Sequence, residues 1–345
     1  DPRDLHSFPT RRSSDLRVHA SLNEQHEAAW VVREILAQRD DGVSLSRMAI
    51  FYRTNAQSRA FEDALRSRRI PYRVIGGMKF YQRKEVKDVL AYLRLLINPA
   101  DSLSLERIYN VPPRGIGAAT LDKARALISG PEDSLLMALA RVGDQAGGAT
   151  AKRVRSFIEM LTDLAVQARE LQAEAMVQAT LDRTGLLDHL NRDETPEGQS
   201  RVENVQELLA SVRQFQESSG LSDLRSWLDR VALVQPLDEG GEGDAVNLMT
   251  VHAAKGLEFE CVFVCGLEEG LFPLANRRGR GAPADAVRDR AAMEEERRLM
   301  YVAMTRARDF LYLSYASTRM RWGQIEAGRP SLFLTELPRE GVRVV

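Results

Sequence analysis

Four short segments carry residues that could do chemistry. In His252-Ala-Ala-Lys255-Gly-Leu-Glu258, an imidazole, an ammonium and a carboxylate recur at three-residue intervals, just after an apolar run that reads as a strand. Ligands of open parallel sheets bind where loops leave the carboxyl ends of strands. A loop so furnished can contact a nucleic-acid backbone and a nucleotide together. The plainer alternative is a surface ion pair between Lys255 and Glu258, with His252 as loop filler. Arg306 lies in Val302-Ala-Met-Thr-Arg-Ala-Arg308. Phosphoryl transfer spreads negative charge over γ-phosphate oxygens, and a planar, permanently charged guanidinium can stabilise that charge. A helix C-terminal Arg favoured by the macrodipole is the alternative, and it is the reading for Arg308. Arg53 and Asn55, in Tyr52-Arg-Thr-Asn-Ala-Gln-Ser-Arg59, also follow a strand-like run; Asn55 and Ser58 there suit a helix cap. Finally, Pro113-Arg114-Gly115-Ile-Gly117 precedes a helix, and its glycines expose amides that suit a phosphate. Taken alone, a Gly-x-Gly is most often a tight turn.

The elements that must position these residues alternate between strand and helix. His26 to Gln38 has the apolar spacing of an amphipathic helix, with Ala29, Val32, Ile35 and Leu36 on one face. Arg47 to Tyr52 is a buried strand, 57–69 a helix, and Tyr72 to Ile75 a strand stopped by Gly76-Gly77. Further on, Ala245 to Val251 and Cys261 to Leu267 read as strands, Glu294 to Arg308 as a helix, and Phe310 to Tyr315 as a strand. Such alternation predicts a mainly parallel sheet with helices on both faces. The acidic residues of Glu294-Glu-Glu-Arg-Arg298 read as support for a helix start. From about Met78 to Leu237 the patterns are long and helical, as in Lys84 to Ile97 and Ala151 to Leu171, with almost no strand signal. Glu239-Gly-Gly-Glu-Gly-Asp244 then reads as a flexible linker. The expected fold is α/β, with a parallel-sheet domain over 17–78 and 245–345 interrupted by an all-helical insertion over 79–244.

Composition narrows the class. The 345 residues, 44% hydrophobic and 28% charged, are those of a globular protein, and no apolar stretch approaches a membrane span. A formal net charge of −1 argues against a dedicated DNA-coating protein, without excluding one that holds and releases a strand each cycle. Cys261 and Cys265 lie on one expected strand, too close along it to bridge readily and without companion metal ligands. They read as core residues in a reduced cytoplasm, and no metal site is expected. Ser7 to Leu16 resembles a common sequencing adapter translated in one frame, and Arg3 to His6 continues it. Residues 1–16 are therefore expected to be non-native and disordered, and are set aside.

Taken together, Val246-Asn-Leu-Met-Thr-Val-His-Ala-Ala-Lys-Gly-Leu-Glu-Phe259, Glu294 to Arg308 and Tyr52 to Arg59 resemble motor motifs of the UvrD/PcrA/Rep family of superfamily 1 DNA helicases. The resemblance covers Arg17 to Pro338, most specifically at these three segments. It implies a RecA-like second motor domain with a helical insertion. It also implies that His252, Lys255, Arg53 and Asn55 contact single-stranded DNA, the last pair through phosphate and sugar. Glu258 would lie at the nucleotide, and Arg306 would be the arginine finger that reaches ATP held by the first motor domain. Arg114, Gly115 and Gly117 would meet duplex DNA at the single-strand/double-strand junction.

No Gly-x-x-x-x-Gly-Lys-Ser/Thr phosphate loop occurs in the sequence, nor do the family's Mg²⁺-holding Asp-Glu pair and its Asn-Tyr-Arg-Ser segment. The expectation is the C-terminal half of an ATP-dependent 3′-to-5′ helicase of DNA repair or replication. ATP and Mg²⁺ would be bound mainly by the other half, and this chain would be inactive alone. Two rivals are weighed against it. One is a non-motor regulatory DNA-binding protein that kept this half. The other is an AddA/RecB-like helicase-nuclease, which needs a nuclease domain where only about thirty residues follow Tyr315. Repair or replication partners are not readable.

Overall fold

Strands that are apolar at every position, without polar alternation, are strands covered on both faces. Met48-Ala-Ile-Phe-Tyr52 is such a run, and all five residues are buried. The computed structural model describes residues 16–130, 132–145, 147–234, 243–274, 286–321, 324–337 and 342–344. Its chain begins β1 (Leu16–Ser21), α1 (Glu24–Asp40), β2 (Met48–Tyr52), α2 (Ser58–Ser67) and β3 (Tyr72–Val74). A helical stretch follows: α3 (Lys84–Ile97), α4 (Ser102–Ile108), α5 (Ala118–Ala126), α6 (Leu135–Gln145), α7 (Gly148–Gln167), α8 (Ala173–Thr184), α9 (Leu186–Asn191), α10 (Pro196–Ser219) and α11 (Leu224–Val234). It closes with β4 (Val246–Thr250), β5 (Phe259–Val264), α12 (Ala286–Thr305), β6 (Ala307–Ala316), β7 (Thr318–Arg321), β8 (Gln324–Ala327), α13 (Leu332–Thr335) and β9 (Val342–Val344).

These elements form two units, one of residues up to Phe80 and from 238 onward, the other Tyr81–Leu237. In the first, seven strands line up in the order β3-β4-β2-β5-β6-β1-β9, and every pairing is parallel. Ile50 of β2 lies opposite both Leu248 and Phe263. Side chains alternate across a strand, so Met48, Ile50 and Tyr52 join α1 and α2 residues such as Ile35 and Leu65 on one face. Ala49 and Phe51 join Leu299, Ala303 and Met304 of α12 on the other. This is the α/β architecture, with helices on both faces, that the alternation predicts.

The second unit is helical, and none of its described residues is in a strand. Its helices begin as sequence rules require: Thr195 accepts from the Gly198 amide at 3.1 Å, with Pro196 in the first turn of α10. Polar contacts thread its core, where Asn204 accepts from Arg83 at 2.7 Å and donates to Glu85 at 2.5 Å.

Several details depart from the sequence reading. Leu16, set aside with the residues before it, opens β1 and pairs with Leu311 and Val342; residues 1–15 lie outside the described ones. The helix expected to run to Arg308 ends at Thr305, because the Arg306 carbonyl already accepts from the Phe259 amide at 2.9 Å. Arg308 is therefore a β6 residue. That helix also starts at Ala286, so Glu294 to Glu296 sit in its middle and not at its start. The exchanges between units fall at 80/81 and 237/238, where 78/79 and 244/245 were expected. Phe80 stays with the sheet because its amide donates to Glu62 at 3.2 Å. Asp244 does so because its carboxylate takes the Leu45 and Ser46 amides at 3.0 and 2.7 Å. Those amides and the Ser44 hydroxyl hold Asp244 down at about 2, with the hydroxyl acting most strongly. The remainder of the expected linker, 239–242, lies outside the described residues.

Where β5 and β6 end, Glu27 and Glu268 enclose Arg319 of β7, all three buried. Arg319 Nη2 donates to both carboxylates at 2.6 Å, and Glu268 also accepts from the Ala316 amide at 2.9 Å. Glu27 accepts from the Gly266 amide at 2.8 Å and the Ser314 hydroxyl at 2.7 Å. The cluster thus ties α1, the loop after β5 and the β7–β8 hairpin together.

Candidate functional site

The residues singled out in the first unit follow the carboxyl ends of β2 and β4, lie on the chain that leads into the start of β5, or sit at the turn that delivers the chain into β6. After β4 the chain makes a 3-10 turn, Val251–Ala254, in which Val251 and Ala254 are buried and His252 is exposed. The Thr250 hydroxyl caps it by accepting from the Ala253 amide at 3.4 Å. Lys255 and Glu258 follow, both exposed, and the left-handed Gly256 (φ 85°) between them makes the bend that returns the chain to β5.

Glu258 does not pair with Lys255. Its partner is Arg308 across the β5–β6 pair, with Nη2 at 3.0 Å and both side chains more than half exposed. In water so exposed a pair contributes little to stability, which leaves the carboxylate open to another partner. Arg306 lies alongside. Its Nη1 donates to the Leu257 carbonyl at 3.1 Å, Nε to Val302 O at 3.2 Å, and Nη2 to Thr305 Oγ1 at 3.2 Å. All three acceptors are neutral. Among the described residues no carboxylate neutralises Arg306, so its full charge is held in a fixed pose beside Glu258, ready for an anion.

On the other side of the same loop, Arg53 emerges from β2. Its amide and that of Thr54 both donate to Gln57 Oε1, at 2.9 and 2.8 Å. The turn is thus capped by Gln57, not by Asn55 or Ser58; the Ser58 hydroxyl donates instead to Glu62 at 2.7 Å. Asn55 is half-buried in this turn. The Arg53 guanidinium forks onto Glu296 of α12, with Nε at 3.0 Å from both oxygens and Nη2 at 2.6 Å from Oε1. His252 faces the same charges. Partial desolvation of its ring, then the Arg53 charge, holds its imidazole below the ordinary value, with Glu296 and Glu295 opposing. Arg53 and His252 are therefore brought together, and Glu258 and Arg306 likewise, with the 252–258 loop joining the two pairs.

In the helical unit, Arg114 is turned inward. It donates to the carbonyls of Pro112 and Thr184 at 3.1 and 3.2 Å, and its guanidinium lies 5.7 and 5.2 Å from the rings of Tyr92 and Phe157. What the loop presents outward is backbone. Gly115 and Gly117 are exposed, and nothing lies within 4 Å of where a Cβ on Gly117 would be, at the cap of α5. Gly115, at φ 71°, has Arg153 beside it, whose guanidinium a Cβ would meet at 3.2 Å.

Sequence reasoning missed Glu296, Gln57 and Arg308. Gln57 carried a local signal, an amide three residues beyond Thr54, as in a capping box. Glu296 carried none, because its partner is 243 residues away. The neighbouring charges do form helix-surface pairs, such as Arg298–Glu295 at 2.8 Å. Cys261 and Cys265 are buried and unpaired, and burial pushes both thiols up. Among the described residues no group of His, Cys, Asp and Glu could hold a metal, and no helix is long and apolar enough to cross a membrane.

The chain matches the UvrD-like helicase C-terminal domain over residues 8–318. It is 40% identical over 331 residues to the ATP-dependent DNA helicase PcrA of Staphylococcus epidermidis, covering 94% of this chain and 44% of that protein. To PcrA of Staphylococcus aureus it is 37% identical over 329 residues, with the same shares covered. To DNA helicase II of Escherichia coli it is 39% identical over 341 residues, covering 96% of this chain and 45% of the relative. The chain thus spans less than half the length of these relatives.

Proposed function

This chain belongs to the UvrD-like helicase family, as its C-terminal domain, and on that premise we propose that it is the second-motor half of an ATP-dependent 3′-to-5′ DNA helicase. The observation that carries the reading is Arg306, a guanidinium with only neutral acceptors, held beside Glu258 on the loop whose other end places His252 next to Arg53. Nucleotide contact and strand contact are then two ends of one short, bent segment. A shift at either end is felt at the other without a longer relay.

In this reading Arg53 and His252 grip a single strand through its backbone, with Asn55 and Lys255 flanking them. Arg306 and Glu258 face a nucleotide presented by a partner motor domain. ATP, when bound there, supplies the phosphoryl group whose transfer drives the cycle. The role of this chain is to place a fixed positive charge where negative charge develops. The set of residues suits a polyphosphate. In this reading Mg²⁺ would be held mainly by the partner motor domain. In the helical unit the Gly115 and Gly117 backbone is the surface offered to duplex at the junction, and Arg114 serves to hold that loop's shape. The relatives' names support DNA as the substrate, and the setting proposed is DNA repair or replication in the cytoplasm.

The test is Arg306→Ala in the intact helicase. ATP hydrolysis is expected to fall by about 10³–10⁵-fold while nucleotide binding largely survives, and this chain alone, run as a control, should turn over no ATP. Equal loss of hydrolysis and binding would make Arg306 structural. Turnover by the isolated chain would place the triphosphate site within these residues.

A further inference from the structure

Glu296 is 6% exposed, in the middle of α12. Its carboxylate accepts the Arg53 fork on both oxygens, and Oε2 accepts in addition from the Leu274 amide at 3.0 Å. It therefore joins the loop after β2, the chain near Leu274 and α12 at one point, beside His252. A carboxylate seated on a guanidinium in this way occupies the face that the anionic oxygens of a phosphodiester would use, since the fork matches both groups equally well.

We infer that Glu296 is the positioning residue of the strand grip: in the strand-free protein it holds Arg53 ready, and a backbone phosphate binds by taking over part of its fork. This rests on the strand-binding reading of Arg53 given above. One carboxylate then has two effects. It holds a long, flexible side chain in a single pose, so less freedom is lost when a strand arrives. It also makes capture an exchange of one anion for another, which weakens binding and lets the strand go as readily as it came. Because Glu296 lies on the helix that leads into Arg306, the same exchange bears on the segment that presents the second guanidinium.

The experiment measures binding of a fluorescein-labelled oligothymidylate to the 345-residue chain across a range of salt. It compares wild type with Glu296→Gln, Glu296→Asp, Arg53→Ala and the Glu296→Gln/Arg53→Ala double variant. Glu296→Gln keeps a carbonyl for the Leu274 amide but frees the guanidinium. It should bind several-fold tighter, with a steeper dependence of log affinity on log salt. Arg53→Ala should bind several-fold more weakly, with a slope shallower by about 0.7, the value of one phosphate contact on a single strand. In the Arg53→Ala background Glu296→Gln should add nothing. Glu296→Asp, which keeps the charge, should return the slope to that of wild type. If Glu296→Gln binds like wild type or more weakly while wild type binds and Arg53→Ala weakens it, the inference is overturned and the strand reading stands. If wild type does not bind at low salt, or Arg53→Ala binds equally well, the strand reading fails and the inference falls with it.

Discussion

In the strand-binding reading, His252 would meet DNA as a neutral ring. Partial desolvation and the neighbouring Arg53 hold its imidazole below the ordinary range, so near neutral pH its contribution is a hydrogen bond, and the charge at this spot comes from Arg53. The support beneath Arg53 is just as specific. Gln57 Oε1 takes the amides of Arg53 and Thr54, and a Cβ on Gly266 would meet Gln57 Nε2 at 2.3 Å. Gly266 is at φ 71°, where an L side chain is strained as well. Gly266→Ala should therefore push Gln57 out of place and cost about 1–3 kcal/mol in a denaturant titration. It should weaken oligothymidylate binding in parallel, whereas Gly130→Ala, in open space, should leave that binding unchanged. At this scale the sequence singled out His252, Glu258 and Arg306 by chemistry and spacing, and the structure sets the last two close together, with Arg306 bonded to the Leu257 carbonyl. The sequence was silent on Glu296 and on Gly266, whose meaning comes from side chains far along the chain.

Among elements, the central strands were the most legible. An all-apolar five-residue run such as Met48–Tyr52 has few other places to go than the middle of a two-sided sheet. The edges were not. β1 mixes Arg17 and His19 into its run and β9 is only three residues long, so neither stands out until β6 and β1 pair with them. The β7–β8 hairpin is polar and was missed altogether, yet it delivers Arg319 into the buried cluster with Glu27 and Glu268. Removing the cation there leaves two carboxylates without it in a dry site. Arg319→Met should lower unfolding free energy by about 3–5 kcal/mol. Breaking the exposed Arg39–Asp40 pair with Arg39→Ala should change it by less than about 1 kcal/mol. A loss at Arg319 no larger than at Arg39 would mean that the hairpin is not held through this cluster.

For the molecule as a whole, the two-unit plan was readable from the change between alternating and purely helical patterns, and the exact crossing points were not, since they depend on what Phe80 and Asp244 hold on to. The order of the sheet has a consequence for how the protein is made. β1, β2 and β3 are synthesised before the helical unit, but β2 sits between β4 and β5, and β1 between β6 and β9. Every strand partner of the first three is therefore still unsynthesised while the whole of Tyr81–Leu237 emerges. The helical unit, whose helices pack on one another, can complete itself in that interval, while the apolar faces of Ile50 and Phe51 wait without cover. Nascent chains arrested once residue 237 has cleared the exit tunnel should show a protease-resistant core over Tyr81–Leu237 and rapid cleavage within residues 16–80. Resistance of both segments at that length would mean that the early strands find shelter without their neighbours. In the cell that waiting period is when the chain is most exposed to aggregation and most in need of a chaperone, and its length is set by the size of the insertion.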